Sequence, residues 1–300
     1  MITNTPLRYP GGKSVMSSFF KEFITVNHMQ DIIYVEPYAG GAGAALNLLF
    51  NDDVNKIIIN DASIPVFSFW NSLINHSDEF MEIFESTDIN LNEWYQQKNI
   101  FINRNQQFSI ELGFATFFLN RCNRSGILSA GPIGGNTQEK QNIATYKIDV
   151  RYNKTLLRSK LKKIISRKTQ IIVKNEDALN LLKQIDALPE HAKENYLLYL
   201  DPPYYIHGYE LYLNSYTHQN HVELADFLTN MPIVKWILSY DNVQEICDLY
   251  NHFQLYRFNL AYSVQEKKQG RELLLHSKNT ILPNSLAIKR SSKSIPLVPI

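Results

Sequence analysis

Five apolar residues, Tyr196 to Leu200, run directly into Asp201-Pro202-Pro203-Tyr204-Tyr205. An apolar run of this length, bounded by polar residues, reads as a buried strand. Neither proline offers a backbone N–H, and each forces the residue before it away from helical geometry. The strand therefore ends at Asp201 in a rigid corner that sets a carboxylate, two proline carbonyls and an aromatic face in a row. In an open α/β sheet, the carboxyl edge of the strands is where ligands bind. Taken alone, such a corner would also serve as a plain surface turn. The other segments of the chain decide between the two.

With 300 residues the chain has material for one large domain or two modest ones. A hydrophobic content of 44% beside 20% charged residues describes a globular chain and excludes a disordered one. No apolar run approaches the roughly 20 residues of a membrane span. The segment after Met1 lacks the charged and apolar regions of a secretory signal. Cys122 and Cys247 form neither a metal-ligand spacing nor a disulfide framework. These features predict a cytoplasmic chain with no membrane partner and no metal. A net charge of +1 confines any nucleic-acid-binding surface to a local patch.

Taken in order, Tyr9-Pro10-Gly11-Gly12-Lys13 lets backbone approach a ligand closely and adds one cation. It lacks the glycine-x4-glycine-lysine spacing of a phosphate loop. Ile32 to Glu36 reads as a strand ending in an acid, followed by the turn Pro37-Tyr38-Ala39-Gly40-Gly41-Ala42-Gly43 and a helix. Leu46 stands where a dinucleotide fingerprint wants its third glycine, which argues against an NAD enzyme. Lys56 to Asp61 is a second strand with an acid at its end, 18 residues after Gly43. That is near the roughly 20 expected of a carboxylate gripping a ribose diol. The same Asp61 could equally cap the following helix.

From Ile64 to about Asn120 the pattern is helical and aromatic, interrupting the strand–helix alternation as an insertion would. It ends in a polar loop containing Asn120, Arg121, Asn123, Arg124 and Ser125. Asn and Arg are the side chains that read adenine and guanine edges bidentately. Lys154, Arg158, Lys160, Lys162, Lys163, Arg167 and Lys168 then crowd one helical stretch, suited to phosphate contact or to a solvated face. Beyond it, strands are expected at Gln170 to Asn175, at Tyr196 to Leu200 and at Val234 to Asp241. Phe253 to Ser263 and Arg271 to His276 are expected to form a terminal antiparallel hairpin. The stretch from Asn279 is expected to be loosely attached.

In their order, Tyr9 to Lys13, Glu36 to Gly41, Asn60-Asp61, Asn120 to Gly126, Asp201 to Tyr204 and Arg271 to Leu275 resemble the Dam-type DNA adenine-N6 methyltransferases. The resemblance runs from residue 7 to about 278. It implies an α/β fold: a Rossmann-like methyltransferase sheet, mostly parallel with a C-terminal antiparallel hairpin, plus an inserted, mainly helical DNA-recognition domain. The expected division is a discontinuous core of residues 1–75 and 168–278, an insertion of 76–167 and a tail of 279–300. It further implies S-adenosylmethionine as cofactor, held by Tyr9, Lys13, Glu36, Tyr38, Gly40, Gly41, Asp61, Asp177 and Asp201, with Asp61 on the ribose. Asp201, Pro202, Pro203 and Tyr204 would be catalytic, and Asn120, Arg121, Asn123, Arg124 and Ser125 would contact DNA. The implied partner is double-stranded DNA, with a cognate restriction endonuclease left open. Ala42-Gly43 departs from the commonest family spelling of the turn.

The residues suit that chemistry on their own terms. An adenine amino group is a poor nucleophile because its lone pair is delocalised into the ring. Acceptance of its hydrogens by the Asp201 carboxylate and the Pro202 carbonyl would favour a nucleophilic nitrogen, and Tyr204 would stack on a base flipped from the duplex. Three alternatives stay open at this stage: a cytosine-N4 enzyme, an RNA adenine-N6 enzyme, and a DNA-binding regulator that keeps only the fold.

Overall fold

The computed structural model describes residues 4–8, 13–206, 216–261, 269–283, 287–290 and 293–300, with the side chains of 260–261, 269–271, 287–290 and 293–294 excepted. Tyr9, and with it the Pro10 to Gly12 segment, lies outside the described residues.

Five strands run parallel: β1 (Ile33–Glu36), β2 (Lys56–Asn60), β3 (Ile171–Lys174), β4 (Tyr196–Leu200) and β5 (Lys235–Asp241). Beyond β5, the strands β6 (Tyr256–Ala261) and β7 (Gln269–His276) pair antiparallel, with β7 placed against β5. The order across the sheet is β3-β2-β1-β4-β5-β7-β6, closed at the far edge by β10 (Val298–Pro299). A separate hairpin joins β8 (Ala287–Arg290) to β9 (Lys293–Pro296). This is the expected Rossmann-like sheet, mostly parallel with an antiparallel end. Its chain order reverses between β1 and β4, and a crevice opens at that point at the carboxyl ends of the strands. Glu36 ends β1 and Asp201 follows β4, so the two acids flank the crevice.

Both faces of the sheet are covered, which is why its strands read as apolar runs without polar alternation. Period-two geometry sends neighbouring residues to opposite layers. Tyr34, Leu197, Tyr199, Ile237 and Leu274 enter one apolar cluster, whereas Val35, Leu198, Leu200, Leu238 and Leu275 enter the other. On the first face lie α1 (Ser17–Val26) and α2 (Gly43–Phe50), with Phe20 seated between the rings of Tyr34 and Tyr199. On the second face lie α9 (Ala178–Asp186), α10 (His218–Thr229) and α11 (Gln244–Leu249), which bury Leu182, Leu224 and Ile246.

The helical block comprises α3 (Ile64–Asn75), α4 (Ser77–Ser86), α5 (Leu91–Ile102), α6 (Ile110–Cys122), α7 (Gln138–Ile143) and α8 (Lys154–Ile165). The axes of α3 and α6 approach so closely that a Cβ on Gly113 would stand 2.5 Å from the Ser68 carbonyl oxygen. Around that crossing Phe69 stacks on Phe117, with Phe80, Phe84 and Phe114 against them. These rings share one apolar cluster with Leu46, Leu49, Ile57 and Ile171 of the sheet region. Packing therefore runs across residues 76 and 167 without a break, and the block is a helical layer fused to the core.

The last residues correct the expectation of a loose tail. Leu282 and Leu297 are buried in the main cluster. Asn27 clamps Ile281 by two hydrogen bonds of 2.7 Å, and the Ile300 N–H donates to the Leu255 carbonyl at 3.0 Å. Among the described residues no helix is long and apolar enough to cross a membrane.

Candidate active site

Asp201 lies just past β4, with its side chain 19% exposed. Its Oδ1 accepts from Lys13 Nζ at 3.0 Å and from Ser239 Oγ at 2.9 Å, while its Oδ2 accepts from Lys13 Nζ at 3.1 Å. Ser239 is fully buried on β5 and is bonded in turn to the Tyr199 hydroxyl at 2.7 Å. With Ser239 donating to the carboxylate, Tyr199 donates to Ser239, and the chain of bonds fixes the Asp201 rotamer. A carboxylate offers about four lone-pair sites. Three have partners among the described residues, two on Oδ1 and one on Oδ2. Pro202 and Pro203 are buried and hold the corner.

Lys13 is buried, with its side chain 4% exposed. Its ammonium also donates to the Tyr204 hydroxyl at 2.8 Å and lies 3.5 Å from Glu272 Oε1. Burial opposes that charge, but Asp201, Glu272 and the neighbouring tyrosines more than offset it and hold the Lys13 pKa well above its ordinary value. The Tyr204 hydroxyl donates to Glu272 Oε1 at 2.6 Å. The corner is braced from behind as well, because Asp241 accepts the backbone N–H of Tyr205 at 3.0 Å and of Ile206 at 3.2 Å.

At the neighbouring strand ends the acids sit on backbone. Glu36 accepts the Ala45 N–H at 3.0 Å, at the start of α2, where the helix dipole favours a negative charge. Burial nonetheless pushes its carboxyl up to about 8. Asp61 accepts from Ser63 N at 2.9 Å and from Gly40 N at 3.0 Å. It closes a tight turn ahead of α3 and also draws the glycine turn toward β2. Burial raises its carboxyl to about 6 against those two donors. Gly40 takes φ +47° with its carbonyl held by Trp70 Nε1 at 2.8 Å, and Ala42 takes φ +47° at the head of α2. Gly41 is buried in the same turn. The Tyr38 hydroxyl meets that of Tyr216 at 2.8 Å. Asp177 is exposed at the N-cap of α9, accepting the Asn180 N–H at 3.2 Å.

The polar loop is arranged differently from the expectation. Asn120 is buried; it accepts the Arg8 N–H at 2.7 Å and donates to the carbonyls of Arg8 and Gly126 at 3.0 and 2.9 Å. Asn123 is buried too, accepting Trp94 Nε1 at 2.7 Å and donating to the Ile127 and Leu128 carbonyls. Arg121 binds the carbonyls of Arg151 and Pro6, and burial lowers its pKa to about 10. These three side chains build the loop and do not reach out of it. Ser125 is half-buried with φ +55° at a kink. Arg124 alone among the loop's arginines is exposed, beside a cleft of about 360 Å³ shared with Trp94, Gly131, Pro132, Asn136 and Lys140. The basic stretch is likewise mostly engaged. Lys154 caps the Glu85 and Thr87 carbonyls, Arg158 pairs with Glu85, Lys160 binds the Thr5 carbonyl and Arg167 pairs with Asp52. Lys162 and Lys168 are exposed.

This division of labour has a measurable consequence. Asn123→Ala strands the buried Trp94 N–H and two carbonyls, and an unpartnered buried polar group costs about 1–3 kcal/mol. The denaturation midpoint should fall clearly. Arg124→Ala should leave stability within about 0.5 kcal/mol. Equal shifts in urea titrations of the two variants would contradict the assignment.

Sequence reading missed Ser239, Tyr199, Asp241 and Glu272. The signal for Glu272 was an acid set inside the apolar strand Leu273-Leu274-Leu275, where a charge survives only with a partner. A hydroxyl such as Ser239 in an apolar strand carries no comparable mark.

A sheet whose chain order reverses between β1 and β4, with acids at the ends of β1, β2 and β4 and a proline-braced carboxylate over the crevice, defines an α/β methyltransferase. The chain belongs to the D12 class N6 adenine-specific DNA methyltransferase family, whose model matches residues 9–264. Among curated proteins no match was found. Two solved structures are similar in overall path. One is Streptococcus pneumoniae Sp1610, described as a candidate tRNA (m1A22) methyltransferase: 9% identity, TM-score 0.35, covering 87% of this chain and 72% of that one. The other is the rRNA methyltransferase aviRa from Streptomyces viridochromogenes: 10% identity, TM-score 0.36, covering 90% and 87%.

Proposed function

We propose that the chain methylates the N6 amino group of adenine in duplex DNA, using S-adenosylmethionine and a target base flipped out of the helix. The observation that carries this reading is Asp201. Its carboxylate is fixed by Lys13 and Ser239 at the carboxyl end of β4, with Oδ2 bonded among the described residues to Lys13 alone and the side chain 19% exposed.

The donor set fits the cofactor. Glu36 is buried and Asp61 half-buried, both carboxyls are raised by desolvation, and neither has an ion-pair partner among the described residues. A ligand bearing a sulfonium and an ammonium supplies the missing positive charge. Glu36, Asp61 and the Gly40-Gly41 turn would hold it, with Tyr38 and Asp177 at the rim. When bound, the cofactor supplies an electrophilic methyl group.

The chain's own residues then act on the amine. Asp201 Oδ2 accepts one amino hydrogen, which concentrates the lone pair on nitrogen, and after transfer it is the nearest base for the released proton. The Pro202 carbonyl takes the second hydrogen. Lys13 and Ser239 hold the carboxylate in place, so no reorganisation is required during the reaction. Tyr204 offers its ring to the extruded base. In the helical layer, Arg124 and Lys140 border the one charged cleft described above, and Arg124 is the residue assigned to base reading. Lys162 and Lys168 remain for phosphate contact.

Expression in a host devoid of adenine methylation, followed by sequencing that maps modified bases, tests the reading. N6-methyladenine should occur within one fixed sequence and vanish with Asp201→Ala. Unmodified DNA beside newly methylated RNA adenines would replace DNA by RNA as the substrate.

A further inference from the structure

Glu272 stands out because nothing in the reaction outlined above uses it. It lies on β7 with its side chain only 1% exposed, and Oε2 has no hydrogen-bond partner among the described residues. A buried ionisable group with one bare oxygen is costly, and its neighbours show what it does there. Oε1 receives the Tyr204 hydroxyl at 2.6 Å and faces Lys13 Nζ at 3.5 Å. Lys13 also bridges both oxygens of Asp201. Two carboxylates thus share one ammonium.

We propose that Glu272 is a positioning residue for methyl transfer: it tethers the Tyr204 hydroxyl and draws part of the Lys13 charge away from Asp201. The inference rests on the adenine-methylating reading given above. Were Lys13 paired with Asp201 alone, its charge would cancel that of the acceptor and weaken the hold of Oδ2 on an amino hydrogen. With Glu272 ionised, the trio of Lys13, Asp201 and Glu272 carries a net negative charge. The same carboxylate fixes the Tyr204 ring at its far end, so the acceptor and the aromatic face are set by one residue.

Protonation of Glu272 would remove its pull on Lys13 and weaken the tether, leaving Tyr204 an uncharged acceptor. The groups facing it are Lys13 ahead of α1, Tyr199 and Asp201 at β4, Tyr204 beyond β4, and Asp241 across the β5 pairing. The Asp241 carboxylate is taken by the backbone of Tyr205 and Ile206. On the β6 side stands the apolar Phe258. Burial raises the Glu272 carboxyl to about 7 against the pull of Lys13, so its charge changes near neutrality.

The test is single-turnover methyl transfer with saturating cofactor and a cognate duplex, measured from pH 5.5 to 9. In the unsubstituted protein the rate should rise through neutrality as Glu272 ionises. Glu272→Gln keeps an acceptor for Tyr204 but no charge. It should be slower at high pH by about ten-fold, the loss typical of one charge-assisted hydrogen bond, with cofactor affinity unchanged. It should also lack one inflection. Glu36 and Asp61 titrate in the same range, so the assignment is made by the inflection that disappears in Glu272→Gln. Glu272→Asp should recover part of the rate and keep an inflection, displaced from the original. A Glu272→Gln protein with the parental rate, or a slower one with the parental pH profile, overturns the proposal. If Glu272→Gln does not fold, an unshifted profile in Glu272→Asp overturns it. Absence of adenine methylation by the unsubstituted protein is a separate result, read first, and it overturns the proposed function and the role of Glu272 with it; the other outcomes overturn the role of Glu272 alone.

Discussion

Asp201→Ala should reduce methyl transfer by about two to three orders of magnitude, the loss seen when one preorganised electrostatic contact to a reacting centre is removed. The structure makes the expectation sharper than a motif could. Removal of the carboxylate deletes the acceptor and also strips Lys13 of its nearest anion, leaving the ammonium to Glu272. Asp201→Asn separates the two effects. It retains an oxygen for Ser239 but presents an uncharged amide to Lys13, so it should be nearly as inactive while disturbing the pocket less. Duplex binding should largely persist in both variants, because Asp201 meets only the target amine, whereas base reading and phosphate contact are assigned to Arg124, Lys162 and Lys168. Rapid-quench transfer rates beside equilibrium binding would show this. Parental rates in Asp201→Asn would mean that the carboxylate charge is dispensable, and the acceptor role would fail.

The fold was legible because the strands announce themselves. Apolar runs such as Lys56 to Asn60 and Tyr196 to Leu200 are bounded by acids or prolines, and a sheet covered on both faces demands such runs. The corner at Asp201 was legible for the same reason, since two prolines leave the chain few conformations. The polar loop was misread because residue type does not report direction. Asn120 and Asn123 have the chemistry to read a base, but the same amides satisfy the orphan carbonyls of a tight loop, and burial decided for the latter. The basic residues in and just after α8 were ambiguous in the same way: Arg158, Lys160 and Arg167 meet Glu85, Thr5 and Asp52, each more than 70 residues away in sequence. Lys13 shows the limit from the other side. Its place after a glycine pair suggested a ligand cation, whereas it closes on three side chains from the opposite end of the chain.

Tyr204 is expected to give a graded series, with the hydroxyl and the ring contributing separately. The hydroxyl sits between Lys13 and Glu272 at 2.8 and 2.6 Å, so it anchors the ring and is not a free base. Tyr204→Phe keeps the π surface but loses the anchor and leaves the Glu272 carboxylate without its donor. A moderate loss of rate follows, with cofactor affinity nearly unchanged. Tyr204→Ala loses the ring as well. Base–aromatic stacking is worth about 1–3 kcal/mol, so alanine should fall roughly a further five- to hundred-fold below phenylalanine. The distinction can be read directly with a fluorescent adenine analogue at the target position. Phenylalanine should still quench it by stacking, and alanine should not. If instead the hydroxyl took the proton in the chemical step, phenylalanine and alanine would be equally inactive. Equal, severe loss in the two folded variants, with quenching intact in Tyr204→Phe, would move Tyr204 from stacking to proton transfer.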